Sequence, residues 1–155
     1  MNLKLIRLYI IVSILFVSCY DAPNYPDTPE IVIKGVRAHS VVSPGDSVIV
    51  VLEFQDGNGD LGKLNNSDTI PNLFITDKRF GIIDSQSYSI PYIPDKGSVK
   101  DISGEIEINL LSKIYCNPLY PEKIKDTLEF EIQVRDRVGN FSNKVTTGKL
   151  EMNCR

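Results

Sequence analysis

The sequence has no tryptophan, a single histidine and only three cysteines among its 155 residues. One histidine, His39, cannot build a His-rich metal site, and it argues against a Ser-His-Asp or Cys-His catalytic set. The net charge of -3 argues against a nucleic-acid-binding protein, because neutralising phosphates requires a basic surface. With 42% hydrophobic and 24% charged residues, the composition is that of a globular chain.

The first 18 residues have the pattern of a secretory signal peptide. Lys4 and Arg7 precede an apolar run over residues 8–17, and the small residue Ser18 follows. A transmembrane helix needs about 20 apolar residues, roughly twice the length of this run. The length and the basic flank therefore favour export over a retained anchor helix.

The residue after this signal is a cysteine. The segment Leu15-Phe16-Val17-Ser18-Cys19 resembles a bacterial lipobox, in which the cysteine is lipidated and becomes the first residue of the mature chain. It departs from the usual form at Phe16, where a leucine is common. We predict that Cys19 is lipidated and that its acyl chains anchor the protein in a membrane; the alternative is an ordinary thiol after a plain signal.

Residues 19–29 are predicted to form a tether. Pro23, Pro26 and Pro29 recur at every third position, which favours the polyproline II conformation. We expect a semi-rigid stalk of roughly 30 Å that holds the following domain off the lipid surface. The alternative is a Pro-rich ligand for the groove of a partner.

Residues 30–155 are predicted to form an all-β domain, an immunoglobulin-like antiparallel β-sandwich of about seven strands. Apolar and polar residues alternate with a period of two, most clearly over 48–54, 105–110 and 128–135. Shorter strands are expected within four further segments, and clusters of Gly, Pro, Asp and Asn separate the strands. These segments are 31–38, 72–76, 81–90 and 144–152.

Two cysteines remain when Cys19 is assigned to the lipid. An exported chain meets an oxidising compartment, so Cys116 and Cys154 are predicted to pair. Their spacing does not prove the pairing, and two separate thiols are the alternative.

The acidic loop after the strand over 48–54 is the most specific chemical feature of the sequence. Asp56, Asn58 and Asp60 carry side-chain oxygens at alternate positions, and the glycines between them let the oxygens converge. Hard cations such as Ca²⁺ take six to eight oxygen ligands. Because this loop lacks the glycine and the glutamate that an EF-hand requires, a site here needs a carboxylate from another strand. Asp136 is the first choice and Asp77 the second.

A plain turn explains the same loop equally well. Asp and Asn cap their own backbone in turns, and glycine supplies the positive φ that a tight turn needs. If a cation is bound, it is structural, because an oxygen cage without histidine lacks the usual marks of a hydrolytic zinc site. Both interpretations stay open on the sequence alone.

Three segments together carry a resemblance to a known group of proteins. Residues 54–62, 102–106 and 134–143 resemble uncharacterised lipoproteins of the Bacteroidota, and the relaxed lipobox is similar to those of that phylum. The resemblance implies a calcium-tolerant, immunoglobulin-like sandwich on the cell envelope, and it implies no enzymatic activity. Asn58 stands where Asp is commoner in this group, which should weaken a cation site.

We therefore predict a non-enzymatic lipoprotein of the cell envelope that is anchored in the outer membrane. Both a periplasmic and a surface-facing placement stay open. It would be a binding or accessory module, with an outer-membrane protein assembly as its partner. The alternative is a carbohydrate-binding accessory lipoprotein of a polysaccharide-uptake system, with tyrosines as a stacking platform. Its candidate residues are Tyr88, Tyr92, Tyr115 and Tyr120. A hydrolase that uses Asp56, Asp60 and Asp136 is the weakest of the three interpretations.

Overall fold

The computed structural model describes residues 24–65, 67–80, 85–94 and 100–155. The predicted signal peptide and Cys19 lie outside the described residues. Within the described ranges the regular structure consists of β-strands and one three-residue 3-10 helix, Leu111–Lys113. No helix in this part of the chain is long and apolar enough to cross a membrane.

The described residues contain nine strands, where the sequence predicts about seven. The two extra strands arise because two predicted segments are each divided. The segment over 128–135 belongs to β6 and β7, and the segment over 144–152 contains β8 and β9. The strands are β1 (Glu30–Arg37), β2 (Ile49–Asp56), β3 (Leu73–Asp77), β4 (Ser85–Tyr88), β5 (Ile102–Asn109), β6 (Lys125–Leu128), β7 (Phe130–Val134), β8 (Val145–Thr146) and β9 (Leu150–Asn153).

The two divisions have different causes. Leu128 and Phe130 are both buried, so the alternation continues through Glu129, but the pairing partner changes. Leu128 pairs with Leu150 of β9, whereas Phe130 pairs with Asp77 of β3. Further along, Gly148 has a φ of +74°, which ends the extended conformation between β8 and β9.

The strands form three antiparallel sheets. One has the order β1-β2-β5, the second has the order β4-β3-β7-β8, and β6 pairs with β9. The inward residues of the two larger sheets belong to a single hydrophobic core, which includes Val50 and Leu52 of β2 and Ile75 and Ile132 of the facing sheet. The predicted antiparallel β-sandwich is therefore confirmed.

The register gives the sandwich two distinct ends. At one end, Glu30, the first residue of β1, lies beside Gln55 near the end of β2. In the other large sheet, Leu73, the first residue of β3, lies beside Val134, the last residue of β7. We call this the acid-loop end, because residues 56–62 follow β2 there. At the other end, which we call the disulfide end, Asp77 lies beside Phe130.

The described part of the tether is bound to the acid-loop end. The backbone N–H of Gly57 donates to the carbonyl of Pro26 at 2.8 Å, and the N–H of Tyr25 donates to Asp101 Oδ1 at 2.9 Å. A Cβ on Gly57 would lie 2.1 Å from the carbonyl oxygen of Tyr25, so only glycine permits this approach. Tyr25 and Pro26 therefore lie against the domain, and the predicted semi-rigid stalk does not extend over these two residues.

The predicted disulfide is present at the opposite end. Cys116 and Cys154 are bonded, with their Cα atoms 5.8 Å apart. The bond joins the segment that follows the 3-10 helix to the residue directly after β9. It closes a loop of 38 residues, which restricts the unfolded chain.

Replacing both cysteines by serine is expected to lower the free energy of unfolding by about 3–4 kcal/mol, the chain-entropy value for a loop of this length. Chemical denaturation of Cys116→Ser/Cys154→Ser would measure the loss. A Cys19→Ala background removes the third thiol from the comparison. Two titratable thiols in the unreduced Cys19→Ala protein would contradict the pairing.

Candidate metal site

The alternation of the strands places three predicted ligands inside the sandwich. Asp56 takes the inward position after Phe54 of β2, and Asp136 takes the inward position after Val134 of β7. Asp77, the last residue of β3, takes the inward position after Ile75. All three carboxylates are at least 96% shielded from solvent. Since the two larger sheets face each other, Asp56 and Asp136 approach from opposite sides of the core.

Asp77 lies at the disulfide end, away from the other predicted ligands. The guanidinium of Arg79 binds it there, with Nη2 2.7 Å from Asp77 Oδ2. The same guanidinium contacts Asp126 at 2.6 Å and the carbonyl of Tyr115 at 3.0 Å. Asp77 is thus neutralised by an ion pair, and the prediction that it contributes to a cation site in the acidic loop is wrong.

Asp56 has one satisfied and one unsatisfied oxygen. Its Oδ2 accepts a hydrogen bond from the N–H of Leu61 at 2.8 Å. Its Oδ1 is buried without a hydrogen-bond partner. Burial raises the pKa of Asp56 to about 6, and the nearby carboxylates of Asp60 and Asp136 add to the rise. An unpaired acceptor of this kind is costly inside a protein.

Asp60 repeats this pattern on the other side of the loop. Its Oδ2 accepts a hydrogen bond from the N–H of Val138 at 3.2 Å, and its Oδ1 is buried without a partner. Burial raises the pKa of Asp60, and the charge of Asp136 raises it further. Asn58 acts locally, since its Oδ1 accepts the N–H of Asp60 at 3.2 Å.

Asp136 is fully engaged by its own turn. Its Oδ1 accepts the backbone N–H groups of Gly139 and Asn140, each at 2.7 Å. Its Oδ2 accepts the side-chain amide of Asn140 at 2.8 Å. The nearby Ser142 Oγ accepts the N–H of Val134 at 3.1 Å. The residues of the segment 136–142 are therefore explained by an Asp-capped turn at the end of β7.

Glycines let neighbouring backbone segments enclose the acidic loop. Gly59 has a φ of +70°, and a Cβ there would lie 2.3 Å from the carbonyl oxygen of Lys100. Gly62 has a φ of +90°, and a Cβ there would lie 2.6 Å from the carbonyl oxygen of Pro91. The loop is therefore held between the tether, the start of β5 and the segment that follows β4.

Arg137 is a site residue that the sequence reasoning missed. Its Nη2 donates to the carbonyl of Gly59 at 3.2 Å, and its Nη1 is buried without a partner. Its charge lowers the pKa of Asp60 against the stronger effect of burial. Its position in the turn directly after Asp136 is a signal that could have placed it near the acids.

The arrangement contains features of both predicted interpretations. Asn58 and Asp136 cap backbone groups, as the turn interpretation requires. Asp56 and Asp60 each keep one buried oxygen without a hydrogen bond of ordinary geometry, as a cation ligand would. The N–H of Asp60 still lowers the pKa of Asp56, and the side chain of Asn58 lowers that of Asp60, both against the stronger effect of burial. In the described residues, no three His, Cys, Asp or Glu side chains are placed closely enough to hold a metal ion. A cation would therefore draw on two carboxylates, backbone carbonyls and water.

The tyrosines of the carbohydrate interpretation do not share one strand. Tyr88 lies on β4, and Tyr92 lies in the segment after it. Tyr115 is stacked on Phe80, with ring centroids 6.2 Å apart. Tyr120 lies beyond the 3-10 helix, with Lys123 Nζ 4.5 Å from its ring. Of these four, only Tyr88 belongs to a strand, so they form no row along a sheet face.

Comparison of the chain with protein-family models, with curated proteins and with solved structures finds no match. The structure defines the class as an all-β antiparallel sandwich. Its immunoglobulin-like identity and the resemblance to Bacteroidota lipoproteins stay predictions.

The raised pKa of Asp56 gives a testable pH dependence in the absence of divalent cations. The folded protein holds this proton more tightly than the unfolded chain, so the stability from this group is present below about pH 4. It is lost as the pH rises through about 6. Relative to wild type, the free energy of unfolding of Asp56→Asn should increase by up to about 3 kcal/mol as the pH rises from 4 to 7.

Urea denaturation in EDTA at several pH values would measure this difference. Asp27→Asn, which changes an exposed carboxylate, is the matched control and should show no such gain. Stability curves of wild type and Asp56→Asn that run parallel over this range would contradict the assignment.

Proposed function

We propose that this chain is a non-enzymatic, lipid-anchored binding or accessory module of the outer membrane, and that a Ca²⁺ ion stabilises its acid-loop end. The observation that carries the calcium proposal is the pair of buried, unpartnered oxygens on Asp56 and Asp60. Two carboxylates in this state are costly unless a positive charge satisfies them. A hard cation supplies that charge and accepts oxygen ligands without fixed geometry.

The anchor proposal is supported by the place where the chain enters the domain. The lipobox-like cysteine precedes a tether whose Tyr25 and Pro26 are bound to the acid-loop end. A lipid on Cys19 would therefore hold this end nearest the membrane. The disulfide end would then face away from the membrane.

The disulfide end offers a surface for a partner. Four large apolar side chains in the segment 111–124 are 44–72% exposed to solvent. They are Leu111, Leu119, Tyr120 and Ile124. We place the partner contact in this segment because exposed apolar surface, where it is contiguous, is typical of protein interaction sites. The disulfide and the ion pair of Asp77 with Arg79 hold this end in shape.

Calcium is expected to raise the melting temperature of the wild-type protein at pH 7. At a free concentration of 100 times Kd, the gain in unfolding free energy is about 2.7 kcal/mol. Asp56→Asn and Asp60→Asn each remove a carboxylate ligand, so both should abolish most of this gain. Calorimetric titration with Ca²⁺ would measure the binding directly.

Asp77→Asn is the matched control for the calcium experiment, because it changes a buried carboxylate at the other end of the sandwich. This variant is destabilised by the loss of its ion pair, but its melting temperature should still rise with calcium. A wild-type melting temperature that is the same in EDTA and in calcium would refute the calcium site. A calcium response that survives in both loop variants would refute the assigned ligands.

The anchor and the partner can be tested together in cells. Wild-type protein should incorporate an alkyne-labelled fatty acid, and Cys19→Ala should not. Affinity purification from solubilised envelope should recover an outer-membrane protein in a fixed ratio, and Leu119→Asp should weaken this recovery. Val32→Asp is the control, since Val32 is 63% exposed on β1 and belongs to neither proposed contact surface. Recovery of no envelope protein would refute the accessory role.

A further inference from the structure

We propose that the acid-loop end of the sandwich docks directly on the lipid surface, with the side chains of Leu64, Ile70 and Val138 inserted among the headgroups. This inference rests on the lipid anchor proposed above for Cys19. It goes beyond the orientation already proposed, because the acid-loop end itself becomes a membrane-binding face.

The first argument is the reach of the chain. Five Cα–Cα steps separate Cys19 from Asn24, and a fully extended chain covers at most about 18 Å over that distance. Tyr25 and Pro26 are already paired with Asp101 and Gly57. Strand β2 has eight residues and is about 25 Å long at the rise of an antiparallel strand. A lipid on Cys19 therefore confines the acid-loop end, and not the disulfide end, to the neighbourhood of the bilayer.

The second argument is the composition of this end. The side chains of Leu64, Ile70 and Val138 are 62%, 60% and 71% exposed. They line one groove of about 370 Å³ together with Pro71 and two glycines. Its polar lining residues are Asp68, Asn72, Arg135, Asp136 and Arg137. Large apolar side chains displayed together at the end nearest a membrane fit the interfacial region of a bilayer, where such side chains gain from leaving water.

The third argument is that the backbone carrying these side chains is held by hydrogen bonds. Asp68 accepts the N–H of Leu64 at 3.1 Å and the N–H of Ile70 at 3.0 Å. The N–H of Val138 donates to Asp60 Oδ2 at 3.2 Å. The backbone at these three positions is therefore fixed before docking, and little of its conformational entropy is lost when the side chains enter the lipid.

Positive and negative side chains near this groove offset one another. The charges of Lys63 and Arg137 act on Asp68. The carboxylates of Asp56, Asp60 and Asp136, the last of which lines the groove, are at least 91% shielded from solvent. Insertion into a zwitterionic surface is therefore driven by apolar side chains, and its test needs no anionic lipid.

The absence of tryptophan from the sequence permits a direct test with one fluorescent reporter. Full-length lipidated protein carrying Val138→Trp is reconstituted into phosphatidylcholine vesicles, with and without brominated acyl chains. Leu119→Trp is the matched control, because Leu119 is 72% exposed at the disulfide end and Val138 is 71% exposed. Leu64→Trp provides a second reporter in the groove in case Val138→Trp folds poorly.

The expected result is a blue shift and bromine quenching of Val138→Trp and Leu64→Trp, with neither effect in Leu119→Trp. Flotation with the vesicles reports the anchor separately. A protein that floats while Val138→Trp and Leu64→Trp stay unquenched would overturn the docking and leave the anchor standing. Equal quenching of Val138→Trp and Leu119→Trp would also overturn it, because the domain would then have no preferred end. A protein that does not float would refute the anchor and the docking together.

Discussion

The strict inward and outward alternation along β2, β3 and β7 is the constraint on which the rest of this structure depends. It fills the core with apolar side chains, and it also sends the next inward residue of each strand, an aspartate, toward the interior. At the disulfide end, Asp77 meets the guanidinium of Arg79. At the acid-loop end, Asp56 and Asp60 keep unpartnered oxygens. The same pattern thus gives one end that is neutralised within the chain and one that is left with unsatisfied acceptors.

The backbone at the unsatisfied end is closely packed against neighbouring segments. Gly57 and Gly59 admit the carbonyl groups of Tyr25 and Lys100 to within distances that any side chain would prevent. These contacts tie the tether and the start of β5 to the loop that carries the acids. A loop held by its own backbone cannot swing its carboxylates into water to recover their hydration. The cost of burying them therefore persists until a cation or a proton is bound.

Much of this fold is readable from local pattern, and the missing parts are those that depend on long-range pairing. A period of two predicted the strands and the sandwich, but it could not show that Leu128 and Phe130 pair in different sheets. For the same reason, the sequence placed Asp77 correctly at a strand end without showing which end of the sandwich that was. Arg137 was missed because its role comes from a contact with Gly59, across 78 positions of sequence. The tether was predicted to be a semi-rigid spacer over its whole length, because proline spacing carries no information about docking of Tyr25 and Pro26 on the domain.

Three proposed properties meet at the acid-loop end: the cation site, the apolar groove and the attachment of the tether. They are linked by shared residues. Asp60 receives the N–H of Val138, whose side chain lines the apolar groove. Asp56 is adjacent to Gly57, which receives the tether. A cation that satisfies Asp56 and Asp60 would therefore reinforce both the frame that presents the groove and the contact that positions the anchor. The disulfide end shares none of these contacts, since its own bonds join Cys116 to Cys154 and Arg79 to Asp77. A change in cation occupancy would thus act on the acid-loop end and leave the disulfide end as it is.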